Sequence, residues 1–479
     1  MSESDPPSTA DDMTDRPQKR RGLAFVLMLL VAIASTLALG LYGERPEDPD
    51  YSDASDFLAS AYHIANYGTF VLALTEEPYN PGMGREPGYS LFLAGLMKLD
   101  PTFREFSPVC MADKLDCRHF YGVPQWANAA LVSASAVLVF LTVSLMYGNL
   151  LAVWVAGAHI WLNHEFQNDL FYLISDYLAV FLTALTSFAA AWAWRRNWTL
   201  AWTAPAAALA ALTLTKSIFL YLAVPLFVLV LAFALIRRVQ RRYLLTILVV
   251  SGIVYAVPVG GWMTRNLFVG GEFGVTHSRD GVALSTRAIF NRMTPQQFAA
   301  ALVYWTRGFG DSLAKSVFPE DTWQRFELYN PDGFYLRGQH GYGERVRELI
   351  AKEPQLTVKS AQNEIDRQLV TSIITNLPVH AATTLPLFYR GIWIDEFIIF
   401  SFPALVWLTI RALRRRNWIL LLVLSPGLFS LTFYPIFSLN IPRYQMTALP
   451  ALALALGFAV AHLGAYLRRW RAARKLSVR

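Results

Sequence analysis

The sequence predicts an all-α polytopic membrane protein of about ten transmembrane helices, with two large loops on its outer face. Three observations predict it. Hydrophobic residues make up 54% of the 479 positions and charged residues only 16%, well under the roughly 25% of an average soluble chain. The apolar residues fall in continuous runs, many near the ~20 residues that carry a helix across a bilayer. They do not alternate, which sets aside a membrane β-barrel. The arginine clusters stand just outside these runs. The net charge of +7 is therefore topogenic, because Lys and Arg are retained on the cytoplasmic side. It does not point to nucleic acid. The composition also excludes intrinsic disorder and a solvated coiled coil.

The elements follow in order. The polar segment 1–22 closes with Lys19, Arg20 and Arg21 and reads as a cytoplasmic tail. The run 23–42 is long for a signal-peptide core, and no clear A-x-A site closes it, so it reads as a retained first span. Residues 43–122 form a first outer loop. Residues 123–262 hold spans two to seven, near 123–147, 149–163, 171–194, 198–215, 217–236 and 243–262. A second outer loop covers 263–393. The last three spans, near 394–412, 417–436 and 444–466, lead to a cytoplasmic tail, 467–479.

Charge checks this count. With the N-terminus inside, Arg195 and Arg196, then Arg237, Arg238, Arg241 and Arg242, all fall on the inner side. So do Arg411, Arg414, Arg415 and Arg416, and the tail residues Arg468, Arg469, Arg471, Arg474 and Lys475. The short span 149–163 is needed for this agreement, since its loss would invert everything downstream. The expected setting is a bacterial inner membrane with both termini cytoplasmic and the large loops periplasmic. There is no internal repeat and no low-complexity segment.

The two outer loops hold most of the acids, and their aromatics, prolines and amphipathic stretches favour folded structure. The stretch 342–376 reads as helix, with Val346, Leu349, Ile350, Ile365, Leu369 and Ile373 at helical spacing, and its apolar face suits the membrane surface. Both cysteines, Cys110 and Cys117, lie in the first loop. An oxidising periplasm favours a disulfide between them. Two unpaired buried thiols are the alternative.

The first loop opens with Asp48, Asp50, Asp53 and Asp56, and a helical pattern starts at Asp53. An acid there stabilises a helix start as a cap, or serves as a base; the two roles are compatible. Next comes Gly84-Arg85-Glu86-Pro87-Gly88-Tyr89, a charged pair entering a turn. Three further cations stand at outer ends of spans: Lys216, Arg265 and Arg443. Each alone suits snorkelling to lipid phosphate. Together, on the face where positive charge should be scarce, they suggest a phosphate-handling site around an acid. Asp176 lies just inside the start of a span, where an acid is a functional suspect by default. His164-Glu165 is not part of a zinc motif, and the eight histidines are scattered. No Walker, G-x-G-x-x-G or G-x-S-x-G pattern is present. No cofactor is required and no metal ligand set is visible, although an acidic loop could recruit a divalent ion.

These segments together resemble the GT-C membrane glycosyltransferases. The likeness is to the branch with rhizobial lipopolysaccharide galacturonosyltransferases and bacterial relatives of dolichyl-phosphate-mannose protein mannosyltransferases. In that branch the first loop reads Asp-x-x-x-Tyr, then Arg-x-Pro-Gly-Tyr-Pro-Leu-Phe-Leu. Asp53 to Phe57 and Arg85 to Leu93 stand in those places, with Phe57 for the usual Tyr and Ser90 for the usual Pro. Leu214-Thr215-Lys216 resembles the family's Leu-Thr-Lys/Arg turn. Gly261-Trp262-Met263-Thr264-Arg265-Asn266 resembles its Pro-Trp-x-x-Arg-Asn, and Pro442-Arg443-Tyr444 its last-span start. Ser175-Asp176 stands where the family often has Ser-Glu.

The resemblance implies a polyprenyl-phosphate-linked sugar donor and inverting transfer, to a cell-envelope acceptor on the outer face, with an Asp of the first loop as base. That role carries to Asp53. Arg85, Lys216, Arg265 and Arg443 are the candidates for the donor phosphate. Asp50, Asp56, Glu86 and Asp176 are possible acceptor or supporting residues. A lipid-linked sugar flippase or transporter is the alternative, but transporters place polar groups near the bilayer midplane, and here they gather at outer span ends.

Overall fold

The computed structural model describes residues 18–50, 53–77, 81–236, 240–276 and 279–477. Residues 1–17 of the expected tail, with Arg237 and Arg238, lie outside the described residues. So do the side chains of Lys19, Arg20, Arg21 and Lys475. Among the described residues there is no strand.

Helices of ten or more residues are numbered in chain order. The first three are α1 (Gln18–Tyr42), α2 (Asp53–Tyr67) and α3 (Pro87–Leu99). Six apolar helices follow: α4 (Gly122–Tyr147), α5 (Leu150–Trp161), α6 (Asp176–Arg196), α7 (Thr203–Thr215), α8 (Leu220–Ile236) and α9 (Arg241–Gly270). The second loop holds α10 (Arg279–Phe290), α11 (Pro295–Tyr304), α12 (Phe334–Lys352), α13 (Val358–Thr375) and α14 (Leu377–Ile392). The chain closes with α15 (Ile398–Arg414), α16 (Trp418–Phe437) and α17 (Leu449–Ser477).

Seven helical stretches among the described residues are long and apolar enough to cross a membrane. They are Gly22–Tyr42, α4, α6, Ser217–Ile236, α9, α16 and Pro442–Arg474. The other three expected spans form shorter helices. α5 has 12 residues, α7 13 and α15 17, and 12 residues rise only about 18 Å. Local chemistry sets these lengths. Gly148 adopts φ 59° and Asn149 then caps α5 by accepting from the Leu151 N–H. α7 ends at Lys216, whose backbone is extended (φ −141°, ψ 103°). Longer helices flank all three: α5 packs on α4 and α17, α7 on α6 and α9, and α15 on α17.

Small residues bring the helices close, as suits packing in lipid. Ala451 to Ala455 of α17 are all buried. A Cβ on Gly457 would lie 2.8 Å from the Ala156 Cβ and 2.9 Å from the Ala152 carbonyl oxygen, so α17 and α5 meet backbone to backbone.

The second loop is folded around cores of its own. Phe290, Ala300, Ala301, Trp305, Phe326, Phe334 and Leu387 form one buried cluster together with Leu439. The stretch 342–376 is not one helix. Pro354 follows Glu353, which leaves the helical region (φ −128°, ψ 77°), as the residue before a proline tends to do. Thr357 then caps α13 by accepting from the Ser360 N–H. The apolar faces are not left for lipid either, because Val346, Ile365 and Leu369 are buried together with Val282 and Leu284 packed on them.

Two buried polar clamps tie this loop and its neighbours to the bundle. The Arg287 guanidinium is fully buried. It donates to the carbonyls of Pro435 (2.9 Å) and His380 (2.7 Å) and to the hydroxyl of Thr384 (2.8 Å), joining α10, α14 and α16. Asp395, also fully buried, faces the His159 imidazole at 3.0 Å and accepts from Asn163, Ser401 and the Phe397 N–H. That pins the turn before α15 to α5.

Candidate active site

The residues singled out in the sequence come from five separate elements. Asp53 and Asp56 stand in the first turn of α2. Arg85 and Glu86 enter α3, with Pro87 at its first position. Asp176 opens α6. Lys216 ends α7, and Arg443 lies in the 3₁₀ helix Pro442–Ala448 before α17.

The fold joins six of them in one alternating ionic chain. The Arg85 Nε donates to Asp56 Oδ2 at 2.7 Å and its Nη2 to Asp53 Oδ1 at 2.6 Å. The other oxygen of Asp53 accepts from Arg443 Nη2 at 2.9 Å. Arg443 Nε donates to Asp176 Oδ2 at 3.1 Å, and Asp176 Oδ1 meets Lys216 Nζ at 2.9 Å. Asp56, Arg85, Asp53, Arg443, Asp176 and Lys216 thus alternate in sign. Asp53 is 27% exposed and Asp176 only 2%, so the chain runs from an open end to a buried one.

Sequence-local features hold the chain in place. Asp53 and Phe57 lie one turn apart on α2. The Phe57 ring packs edge-on against Tyr89, centroids 5.3 Å apart, and Arg85 lies over it at 5.6 Å. Glu86 occupies the N-cap position of α3 but does not cap it. Its carboxylate instead accepts from the Ser217 hydroxyl at 2.7 Å and the Ser217 N–H at 3.2 Å, which ties the Arg85 turn to Lys216. Gly88 permits that approach, because a Cβ there would lie 2.4 Å from Thr215 Oγ1 and 2.8 Å from the Leu214 carbonyl oxygen. Burial works against the charge on Arg85, and the carboxylates of Asp53 and Asp56 outweigh it, so its pKa is raised.

Two residues from the sequence reading stand elsewhere. Arg265 is not in the ionic chain. It donates to the carbonyls of Gly82 (2.6 Å) and Phe70 (3.3 Å) and lies over the Trp262 ring at 4.8 Å, which fastens the first loop to α9. Asp50 accepts from the Tyr121 hydroxyl at 2.7 Å; burial and this acid push the phenol's pKa up, so it stays a donor. Cys110 and Cys117 are joined as a disulfide within the first loop. Among the described residues no group of three His, Cys, Asp or Glu is disposed to hold a metal.

Three nearby residues carried no sequence signal. Asp169 precedes α6; burial raises its carboxyl's pKa, Arg443 pulls it down, Asp176 pushes it up, and the balance is a rise. Tyr335, near the start of α12, has its phenol pushed up to about 12 by burial, with Tyr444 and Asp53 adding to the shift. Arg390, late in α14, lies over the Trp305 ring at 4.8 Å. None sits in a motif; Asp169 is set beside Arg443 and Asp176, and the folding of the second loop brings Tyr335 within reach of Asp53 and of Arg390.

No family model and no curated protein matches the chain by sequence. Two solved structures are similar in shape. One is the apo form of the Archaeoglobus fulgidus oligosaccharyltransferase, with a TM-score of 0.52 and 12% identity over 94% of this chain and 52% of that one. The other is the archaeal oligosaccharyltransferase AglB from Archaeoglobus fulgidus, in complex with an inhibitory peptide and a dolichol-phosphate, at TM-score 0.47 and 12% identity over 95% and 52%. The chain spans about half the length of the solved structures it matches. At such identity the apo-form likeness is one of fold, and the chain has an all-α polytopic membrane fold of GT-C type.

Proposed function

We propose that this protein is an inverting glycosyltransferase that moves a sugar from a polyprenyl-phosphate donor to a cell-envelope acceptor, whether glycolipid, polysaccharide or protein. The observation that carries this reading is Asp53 held between Arg85 and Arg443, at the exposed part of an ionic chain at one end of the bundle. The setting we infer is the bacterial inner membrane, with both termini cytoplasmic and the site on the periplasmic face. The branch of rhizobial galacturonosyltransferases and protein mannosyltransferase relatives remains the likeness of choice for the donor type.

The geometry supports the chemistry. Asp53 accepts from an arginine at each carboxylate oxygen, and in this reading the acceptor hydroxyl donates to the same carboxylate. That oxygen attacks the anomeric carbon as its proton passes to Asp53. The bond from the anomeric carbon to the phosphate oxygen breaks, and polyprenyl phosphate leaves with the electron pair. Arg85 and Arg443 each spend two nitrogens on carboxylates and keep further N–H donors for the phosphate. Lys216 adds charge behind them. Arg265 holds the first loop rather than the phosphate. Asp56, Asp176 and Glu86 position the cations.

The test is transfer by purified protein from a panel of polyprenyl-phosphate sugars, read as release of polyprenyl phosphate. Asp53→Asn should lower turnover by at least about 100-fold while the protein stays folded and inserted. Near-normal turnover in that variant would reject Asp53 as base. Movement of lipid-linked sugar between liposome leaflets without turnover would favour a flippase.

A further inference from the structure

The cations of the ionic chain each face a carboxylate. Arg307, in the second loop, likewise meets Glu396 at 2.8 Å and Glu165 at 3.2 Å. Arg390 differs. Among the described residues its guanidinium makes no ion pair and no hydrogen bond, and its close partner is the face of Trp305, at 4.8 Å. Tyr304, Tyr444 and Tyr335 stand near enough for their hydroxyls to act on its charge, while burial lowers its pKa to about 10. A cation left in such a place, with all its N–H donors free, suits an anion that arrives from outside.

The same surface carries a cavity of about 500 Å³ lined by Tyr304, Gln324, Glu327, Tyr329, Asn330 and their neighbours. Tyr304 lines the cavity and acts on the Arg390 charge, and its chain neighbour Trp305 carries the guanidinium, so the cavity and Arg390 share this pair of residues. Planar amide and carboxylate groups beside tyrosine faces suit a saccharide, whose hydroxyls need donors and acceptors and whose C–H faces stack on rings. Tyr335 acts on the Arg390 charge and is close enough to Asp53 to respond to its charge.

We propose that this cavity and Arg390 form the acceptor subsite, and that it selects a saccharide bearing an anionic group, carboxylate or phosphate. The proposal rests on the transferase reading for the word acceptor, but the binding preference stands by itself. Tyr304 and the Gln324–Asn330 segment hold the sugar. Arg390, on Trp305, takes the anion. Tyr335 is within reach of both the Arg390 charge and the base.

Binding separates the two claims. Glucose, glucuronate and glucose 6-phosphate would be titrated onto the full-length protein in nanodiscs, with saturation-transfer NMR as the readout. Wild type should favour the two anionic sugars at least about tenfold over glucose. Arg390→Gln should erase the preference, and Arg390→Lys should keep part of it. Equal binding of all three sugars to wild type would overturn the proposal, as would an unchanged preference in a folded Arg390→Gln. A short-chain polyprenyl phosphate serves as the second probe. Loss of its binding in Arg390→Gln, with sugar binding intact, would assign Arg390 to the donor and overturn the acceptor subsite. Anion preference in a protein that fails to transfer any sugar would retain the subsite and reject the transferase reading alone.

Discussion

Asp176 is the least exposed acid of the ionic chain, at 2%, and it faces Lys216 at 2.9 Å and Arg443 at 3.1 Å. Unit charges about 4 Å apart attract by about 4 kcal/mol at an effective dielectric near 20, and desolvation offsets much of that. Removing one partner is different, because it strands the rest. Asp176→Asn keeps the shape and leaves Lys216 with no carboxylate among the described residues, while Arg443 retains Asp53. We expect a loss of about 3–5 kcal/mol. Lys216→Met leaves Asp176 still facing Arg443, so it should cost about 1–2 kcal/mol. The double variant strands neither charge, so the cycle should show a coupling of about 2 kcal/mol. Equilibrium unfolding in mixed micelles with SDS, followed by far-UV circular dichroism, measures all three. A coupling under about 0.5 kcal/mol, or Asp176→Asn within about 1 kcal/mol of wild type, would refute the reasoning.

Two further predictions concern packing and pH. Gly88→Ala would push against Thr215 Oγ1 and the Leu214 carbonyl; it should cost about 1–3 kcal/mol and slow transfer, whereas Gly95→Ala, with nothing within 4 Å of its Cβ, should be neutral or stabilising in unfolding and turnover assays. His380 is buried, and burial followed by the Arg287 cation lowers its pKa to about 4. The unfolded chain then binds a proton that the folded one does not, so stability is present above about pH 6.5 and falls as pH drops towards 4, by roughly 3 kcal/mol in full. Hydrogen exchange in α10 and α14 should therefore quicken between pH 7 and 5, and His380→Asn should flatten that change.

Much of the fold was legible because lipid imposes a simple rule. A span must be apolar for its full length, so hydropathy marks it, and the end of α6 that carries Arg195 and Arg196 lies opposite the end that carries Asp176. The rule is weaker where protein rather than lipid surrounds a helix. α5, α7 and α15 are short, and longer neighbouring helices flank them; sequence had no means of seeing that cover. The break at Pro354 was readable in principle, but the apolar spacing on both sides of it argued for continuity.

The candidate site divides in a similar way. Asp53, Arg85, Lys216, Asp176 and Arg443 could be singled out one by one, since a charge beside a span is costly and therefore informative. Which of them touch was not readable. Arg265 has the same sequence appearance as Arg443, yet it binds the carbonyls of Gly82 and Phe70 while Arg443 bridges Asp53 and Asp176. Arg287 and Arg390 lie in a loop where an arginine is unremarkable, and only burial or the lack of a carboxylate sets them apart. Hydrophobicity and the sign of charge are properties of single residues, so the sequence alone determined the all-α polytopic membrane class and the set of suspects. Pairing, burial and the distance between residues up to 390 positions apart belong to the packed chain, and only the tertiary structure decided them.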